Sequence, residues 1–146
     1  MPNEEIMLPA DYRSLTALAL SLRQYLATFN LDEDWIYSFD LALCEAATNI
    51  IRHGYREQAG CSYRARFSHT PSDVTVTLFD TGAAIPASQL SGTDVPEQEP
   101  EMTIDTLSES GRGMYLIQAC VDQVRYLPGD NENQLSLIKR LPPGTR

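Results

Sequence analysis

Near Gly60 the spacing of apolar residues changes period, from three and four to two, so helices are followed by strands. Upstream, Leu15, Leu18, Leu22, Leu26 and Phe29 recur at helical steps, with Asp11 placed to cap the helix and Asn30 to end it. A second helix has Asp32 at its start, a core face of Ile36, Phe39, Leu43, Ala47 and Ile50, and Gly54 as its stop. After a turn near Gln58-Ala59-Gly60, Tyr63, Ala65 and Phe67 alternate with Ser62, Arg64 and Arg66, which predicts a half-exposed strand. Pro71-Ser72-Asp73 is a hairpin turn, and Val74, Val76 and Leu78 carry the next strand into Asp80. Glu5-Ile6-Met7-Leu8 forms a short first strand closed by Pro9. Residues 114–121 read as a helix, and 124–127 with 135–138 as a terminal hairpin around Gly129-Asp130.

The 146 residues fit one domain, which at this size buries roughly 68–70% of its unfolded surface and needs no staples. Cys44, Cys61 and Cys120 are odd in number, far apart and set in apolar runs, so reduced core thiols in a cytoplasmic protein are expected. The acidic first residues lead into no long apolar stretch, so neither a signal peptide nor a membrane span is expected. A formal charge of −9 argues against sequence-independent nucleic-acid binding, which relies on clustered Lys and Arg. It also requires that a bound polyphosphate be neutralised locally, by a metal ion and helix termini. From 81 to 110 the periodicity stops; Pro86, Pro96 and Pro100 stand among acidic residues with no basic residue before Arg112, the pattern of a disordered segment or a functional lid.

Three local features carry chemistry. Between Leu41 and Ile51 the only charged residue is Glu45, and four-residue spacing puts Glu45, Asn49 and His53 on one helical face. That face is either a solvated stripe or, since alanines surround it, a polar site in an apolar wall. Asp80-Thr81-Gly82 ends a strand and is either turn chemistry or a carboxylate that accepts from a ligand amine beside a glycine that lets the ligand approach. Gly111-Arg112-Gly113 stands ahead of a helix, where free amides, the helix terminus and a guanidinium suit an anion. It lacks the third glycine of the dinucleotide fingerprint and the Gly-Lys-Ser/Thr of a Walker loop.

Order and spacing make these features more specific. Residues 41–55, LALCEAATNIIRHGY, closely resemble the N-box of the anti-sigma-factor serine kinases. Asp80-Thr81-Gly82-Ala83-Ala84-Ile85-Pro86 resembles their G1 box, Gly111-Arg112-Gly113-Met114 with the following Tyr-Leu-Ile their G2 box, and 137–141 their last strand. The resemblance spans about 6–141 and extends to the wider superfamily of gyrase, heat-shock chaperones, mismatch-repair ATPases and histidine kinases. It departs at Ala84, where the superfamily often has a second glycine.

The resemblance implies a single Bergerat-type ATP-binding domain over 1–146: an α/β two-layer sandwich with a mixed, mostly antiparallel sheet, helices on one face, and an ATP lid at about 83–110. It implies Glu45 as general base, Asn49 as magnesium ligand, Asp80 and Gly82 at the adenine, and Gly111, Arg112 and Gly113 around the phosphates. His53 has no implied chemistry and reads as structural. The implied activity is ATP- and magnesium-dependent phosphorylation of a serine on an anti-sigma-factor antagonist of the STAS type. The chain would alternatively bind a sigma factor, as a homodimer, with no membrane or nucleic acid involved. A kinase that releases some other regulator, or a nucleotide-gated module that sequesters a partner without phosphorylating it, would share these boxes; the intact Glu45 favours a kinase.

Overall fold

The computed structural model describes residues 4–85 and 109–143, with the side chains of 109–114 excepted. Five strands form one sheet: β1 (Glu4–Pro9), β2 (Ser62–His69), β3 (Asp73–Asp80), β4 (Gln123–Leu127) and β5 (Asn133–Arg140), in the order β1-β2-β3-β5-β4. Each of the four pairings is antiparallel, so no parallel pair occurs among the described strands, where a mixed sheet was expected. Pro9 sits within β1, which as an edge strand can spare the amide that proline lacks.

The helices are α1 (Ser14–Tyr25), α2 (Glu33–Asn49) and α3 (Glu109–Cys120). Period-two alternation gives the sheet one apolar face, with Tyr63, Ala65, Phe67, Val74, Val76, Leu78, Leu135 and Leu137 buried. Leu18, Leu22, Phe39, Leu43, Ala47 and Ile50 from the helices join them in one core cluster. This is the two-layer sandwich that the resemblance implies.

On the sheet's other face Phe79 is also buried, at 4% exposure, because the guanidinium carbons of Arg64 and Arg66 lie 4.3 and 4.7 Å from its ring centre. Arg64 is held there by Glu5 and Glu132, both at 2.5 Å.

Helix ends differ from expectation in instructive ways. Asp11 acts two residues early: its Oδ1 accepts the Arg13 amide at 2.9 Å, and the Ser14 hydroxyl donates to its carbonyl. α1 stops at Tyr25, short of Asn30, and the chain reaches Asn30 through turns; Asn30 takes the left-handed conformation, at φ 59°, that asparagine tolerates. Asp32 occupies the N-cap position of α2 without a side-chain cap bond. Cys44, Cys61 and Cys120 are free but half-buried rather than in the core. The Cys44 thiol is pushed up to about 12 by burial and by the Asp40 carboxylate it donates to at 3.3 Å, which keeps it protonated and inert.

α2 does not end in a simple stop. It widens into a π-helical turn, Ile50–Gly54, closed by the Tyr55 amide bonding to the Ile50 carbonyl at 2.9 Å. Arg56 and Glu57 then both adopt left-handed backbone, at φ 54° and 61°. Single π turns inside helices frequently mark functional sites, and here the turn delivers Gly54 and Tyr55 to the end of β3.

Candidate functional site

Asp80 is the last residue of β3 and points to the helix-covered face, 7% exposed, directly across from Asn133 at the start of β5. Two donors converge on its Oδ1: the Gly82 amide at 2.9 Å and the Asn133 amide nitrogen at 3.1 Å. No described donor takes Oδ2, which leaves that oxygen for a ligand's donor. Burial raises the carboxyl above its ordinary value, the Asn133 and Gly82 bonds oppose the rise, and the charge of Glu132 adds to it.

The turn after Asp80 is fastened by three further elements. The Tyr55 hydroxyl donates to the Ser62 carbonyl at 2.8 Å and accepts the Thr81 amide at 2.8 Å. The Ala83 amide donates to the Gly54 carbonyl at 2.8 Å, and the Ile85 amide to the Tyr126 hydroxyl at 2.9 Å. Asn133 also donates to the Gly82 carbonyl at 3.0 Å. The backbone polar groups of an otherwise irregular segment are thereby satisfied and its shape is set in advance.

The glycine at 82 has a structural reason beside the expected one. A Cβ there would stand 2.4 Å from the Gly54 carbonyl oxygen and 2.5 Å from its carbon, a collision with backbone that cannot turn aside. Gly82 therefore allows the β3 turn to meet the π turn of α2. Ala84 causes no difficulty: it has no positive φ, so an ordinary L-residue fits where the superfamily often has glycine.

Glu45 and Asn49 lie one turn apart on α2, both half-buried, flanking the buried Ala42, Ala46 and Ala47. They are neither a fully solvated stripe nor a buried pair. His53 falls in the π turn that follows α2 and is exposed, unlike half-buried Glu45 and Asn49. α2 packs against α3.

The glycine pair also differs from expectation. α3 begins at Glu109 rather than after the pair, so Gly111 lies in its first turn and Gly113 begins its second. Amides of a first helical turn have no partner within the helix, a position that Gly111 holds and Gly113 does not. Glycine is tolerated so near a helix start because few ladder bonds depend on it. The expected side-chain role of Arg112 lies outside the described residues, as does the lid expected at about 83–110 apart from its two ends.

Sequence reasoning assigned no role to Tyr55, Tyr126 or Asn133. Tyr55 stood inside the N-box, but its hydroxyl bonds to residues seven and 26 positions away. Asn133 follows Asn131-Glu132 and reads as turn chemistry; only the strand register reveals its partner.

No group of three or more His, Cys, Asp and Glu able to hold a metal is present among the described residues. Magnesium takes one or two protein oxygens and fills its shell with water and phosphate, a demand that the side-chain oxygen of half-buried Asn49 could meet. An adenine base fits the Asp80 end, where a buried carboxylate keeps one oxygen for a donor. No helix among the described residues is long and apolar enough to cross a membrane.

Comparison with known proteins bears on the family and the fold. The family described as the histidine kinase-like ATPase domain matches residues 8–139. The serine-protein kinase RsbW of Bacillus subtilis (strain 168) is 29% identical over 121 residues, which cover 83% of this chain and 75% of that protein. The serine-protein kinase RsbW of Bacillus velezensis is 27% identical over the same shares. The crystal structure of the RsbU and RsbW domains of Rv1364c from Mycobacterium tuberculosis superimposes with a TM-score of 0.67 at 19% identity, covering all of this chain and 33% of that one. The resemblance to the anti-sigma-factor serine kinases thus holds in sequence relatives and the Bergerat-type sandwich in fold, and the chain belongs to the histidine kinase-like ATPase domain family.

Proposed function

We propose that the protein is an ATP- and magnesium-dependent protein-serine kinase that acts as an anti-sigma regulatory factor and phosphorylates an anti-sigma-factor antagonist. The observation that carries the reading is the Asp80 turn: a buried carboxylate, held through one oxygen, at the end of a strand in a chain whose curated relatives are serine-protein kinases. Asp80 accepts the base amine. Asn49 offers its side-chain oxygen to magnesium, which when bound neutralises phosphate charge that a chain of net charge −9 would otherwise repel. Gly111 supplies first-turn amides to the phosphates, with Arg112 and Gly113 beside it. Glu45, one turn before Asn49 and half-exposed, takes the proton of the substrate serine. Phosphoryl transfer depends mainly on positioning and charge, so these few groups suffice. The partners are a STAS-type antagonist and a sigma factor, and the kinase works as a homodimer.

The test is transfer of labelled phosphate from ATP to a co-purified partner, with phosphoserine located by mass spectrometry. Glu45→Gln should keep Mg-ATP affinity within a few-fold and lower transfer by about 100-fold, the usual worth of a positioned general base. Equal transfer by both proteins would remove Glu45 from the chemistry. A wild type that binds its partner under nucleotide control yet transfers nothing would be a nucleotide-gated binder.

A further inference from the structure

Asn133 is 4% exposed, and both hydrogens of its side-chain amide are used inside the turn, one on Asp80 Oδ1 at 3.1 Å and one on the Gly82 carbonyl at 3.0 Å. A buried side chain that spends its whole donor capacity on one carboxylate and the carbonyl two residues later fixes how they stand to each other. With the Gly82 amide also on Oδ1, the carboxylate cannot rotate without breaking both bonds to that oxygen, so Oδ2 is the one offered outward.

We infer that Asn133 is a positioning residue that sets base selectivity, holding Asp80 as an ionised acceptor so that the site takes a purine bearing an exocyclic amine and rejects one bearing a carbonyl there. The inference rests on the reading of Asp80 as the base-binding carboxylate. An ionised carboxylate has no proton to give and meets a 6-oxo purine with two repelling acceptors, whereas a protonated one can donate to that carbonyl. Selectivity therefore depends on which form the site holds. Burial and the negative charge of Glu132 favour the protonated form; the Asn133 and Gly82 donors oppose it. Arg64 pairs with Glu132 and offsets its charge, the Tyr55 hydroxyl bonds to Thr81, and the Tyr126 hydroxyl, raised by burial, stays neutral.

Asn133→Leu keeps the approximate volume and removes both donors; Asn133→Ser keeps one hydroxyl. Dissociation constants for Mg-ATP and Mg-GTP should be measured by titration calorimetry from pH 5.5 to 8.5, with circular dichroism and melting as folding controls. The wild type should bind ATP well ahead of GTP across the range. Asn133→Leu should bind ATP about 10-fold more weakly at neutral pH, the worth of one hydrogen bond to a charged group. Its loss of ATP affinity on acidification should begin at higher pH, because the unsupported carboxylate protonates earlier, and its preference for ATP over GTP should narrow in the same range. The serine variant should fall between the two, and it is read alone if the leucine variant does not fold. A general weakening of both nucleotides with an unchanged pH profile and unchanged ATP/GTP ratio would reduce Asn133 to packing and overturn the inference. A wild type that binds no adenine nucleotide would instead overturn the base-binding reading beneath it.

Discussion

At the Asp80 turn, side chains or backbone from the end of α2 and from β4 and β5 bond to Asp80, Thr81, Gly82, Ala83 and Ile85. Glu45 and Asn49, by contrast, project from a single helix and remain half-exposed. The Asp80 end is thus a preformed mould whose shape is set before any ligand arrives, which lowers the ordering cost of binding. The other end presents two polar groups at a spacing that any α-helix supplies. The difference teaches where substitutions should cost stability and where they should cost only chemistry.

The sharpest way to break the comparison is at the two glycines that meet. Gly82→Ala drives a Cβ to 2.4 Å from the Gly54 carbonyl, so it should lose about 2–3 kcal/mol of stability. Gly54→Ala meets nothing nearer than 3.7 Å and should be tolerated. Chemical denaturation of the two variants checks this. Equal effects would mean that the mould does not depend on that contact.

Asp80→Asn sharpens the comparison by separating binding from folding. Because burial raises the Asp80 carboxyl, the folded state holds its proton more tightly than the unfolded one. The stability it contributes is therefore greatest below the unfolded pKa and is lost as pH rises through the folded one. At neutral pH Asp80→Asn should accordingly be at least as stable as the wild type, while its oxygen can still accept from Gly82 and Asn133. It should nevertheless weaken ATP and ADP binding with or without magnesium, by about 10-fold or more. Asn49→Ala should weaken only the magnesium-dependent part. Titrations in magnesium and in chelator distinguish the two, and an Asn49→Ala protein that binds Mg-ATP like the wild type would remove Asn49 from the metal.

The smallest effect is expected at Tyr55→Phe. It strips the acceptor from the Thr81 amide and the donor from the Ser62 carbonyl, at a cost of about 1–2 kcal/mol, and should loosen nucleotide binding a few-fold.

The same contrast explains what could be read from the chain. Helices and strands announced themselves through period, since burial of Leu18, Leu22, Phe67 or Val76 follows directly from spacing. Glu45 and Asn49 were legible because one helix places them. The mould was legible only in part. Asp80 and Gly82 could be marked, but the reason for the glycine is the backbone of Gly54, and Asn133 is recognisable only once β3 and β5 are in register. The π turn left no trace because one wide turn changes no repeat that a short window can detect. The start of α3 was placed too late because two glycines read as a boundary, although first-turn positions accept them.

The central claim is that this mould binds the nucleotide, and heating the protein with and without Mg-ATP tests it most directly. At a ligand concentration about 100 times the dissociation constant, binding contributes roughly 2.7 kcal/mol. At about 2–4 °C per kcal/mol for a chain slightly larger than this one, the melting temperature should rise by roughly 5–10 °C. No rise with Mg-ATP up to millimolar concentration would contradict the account.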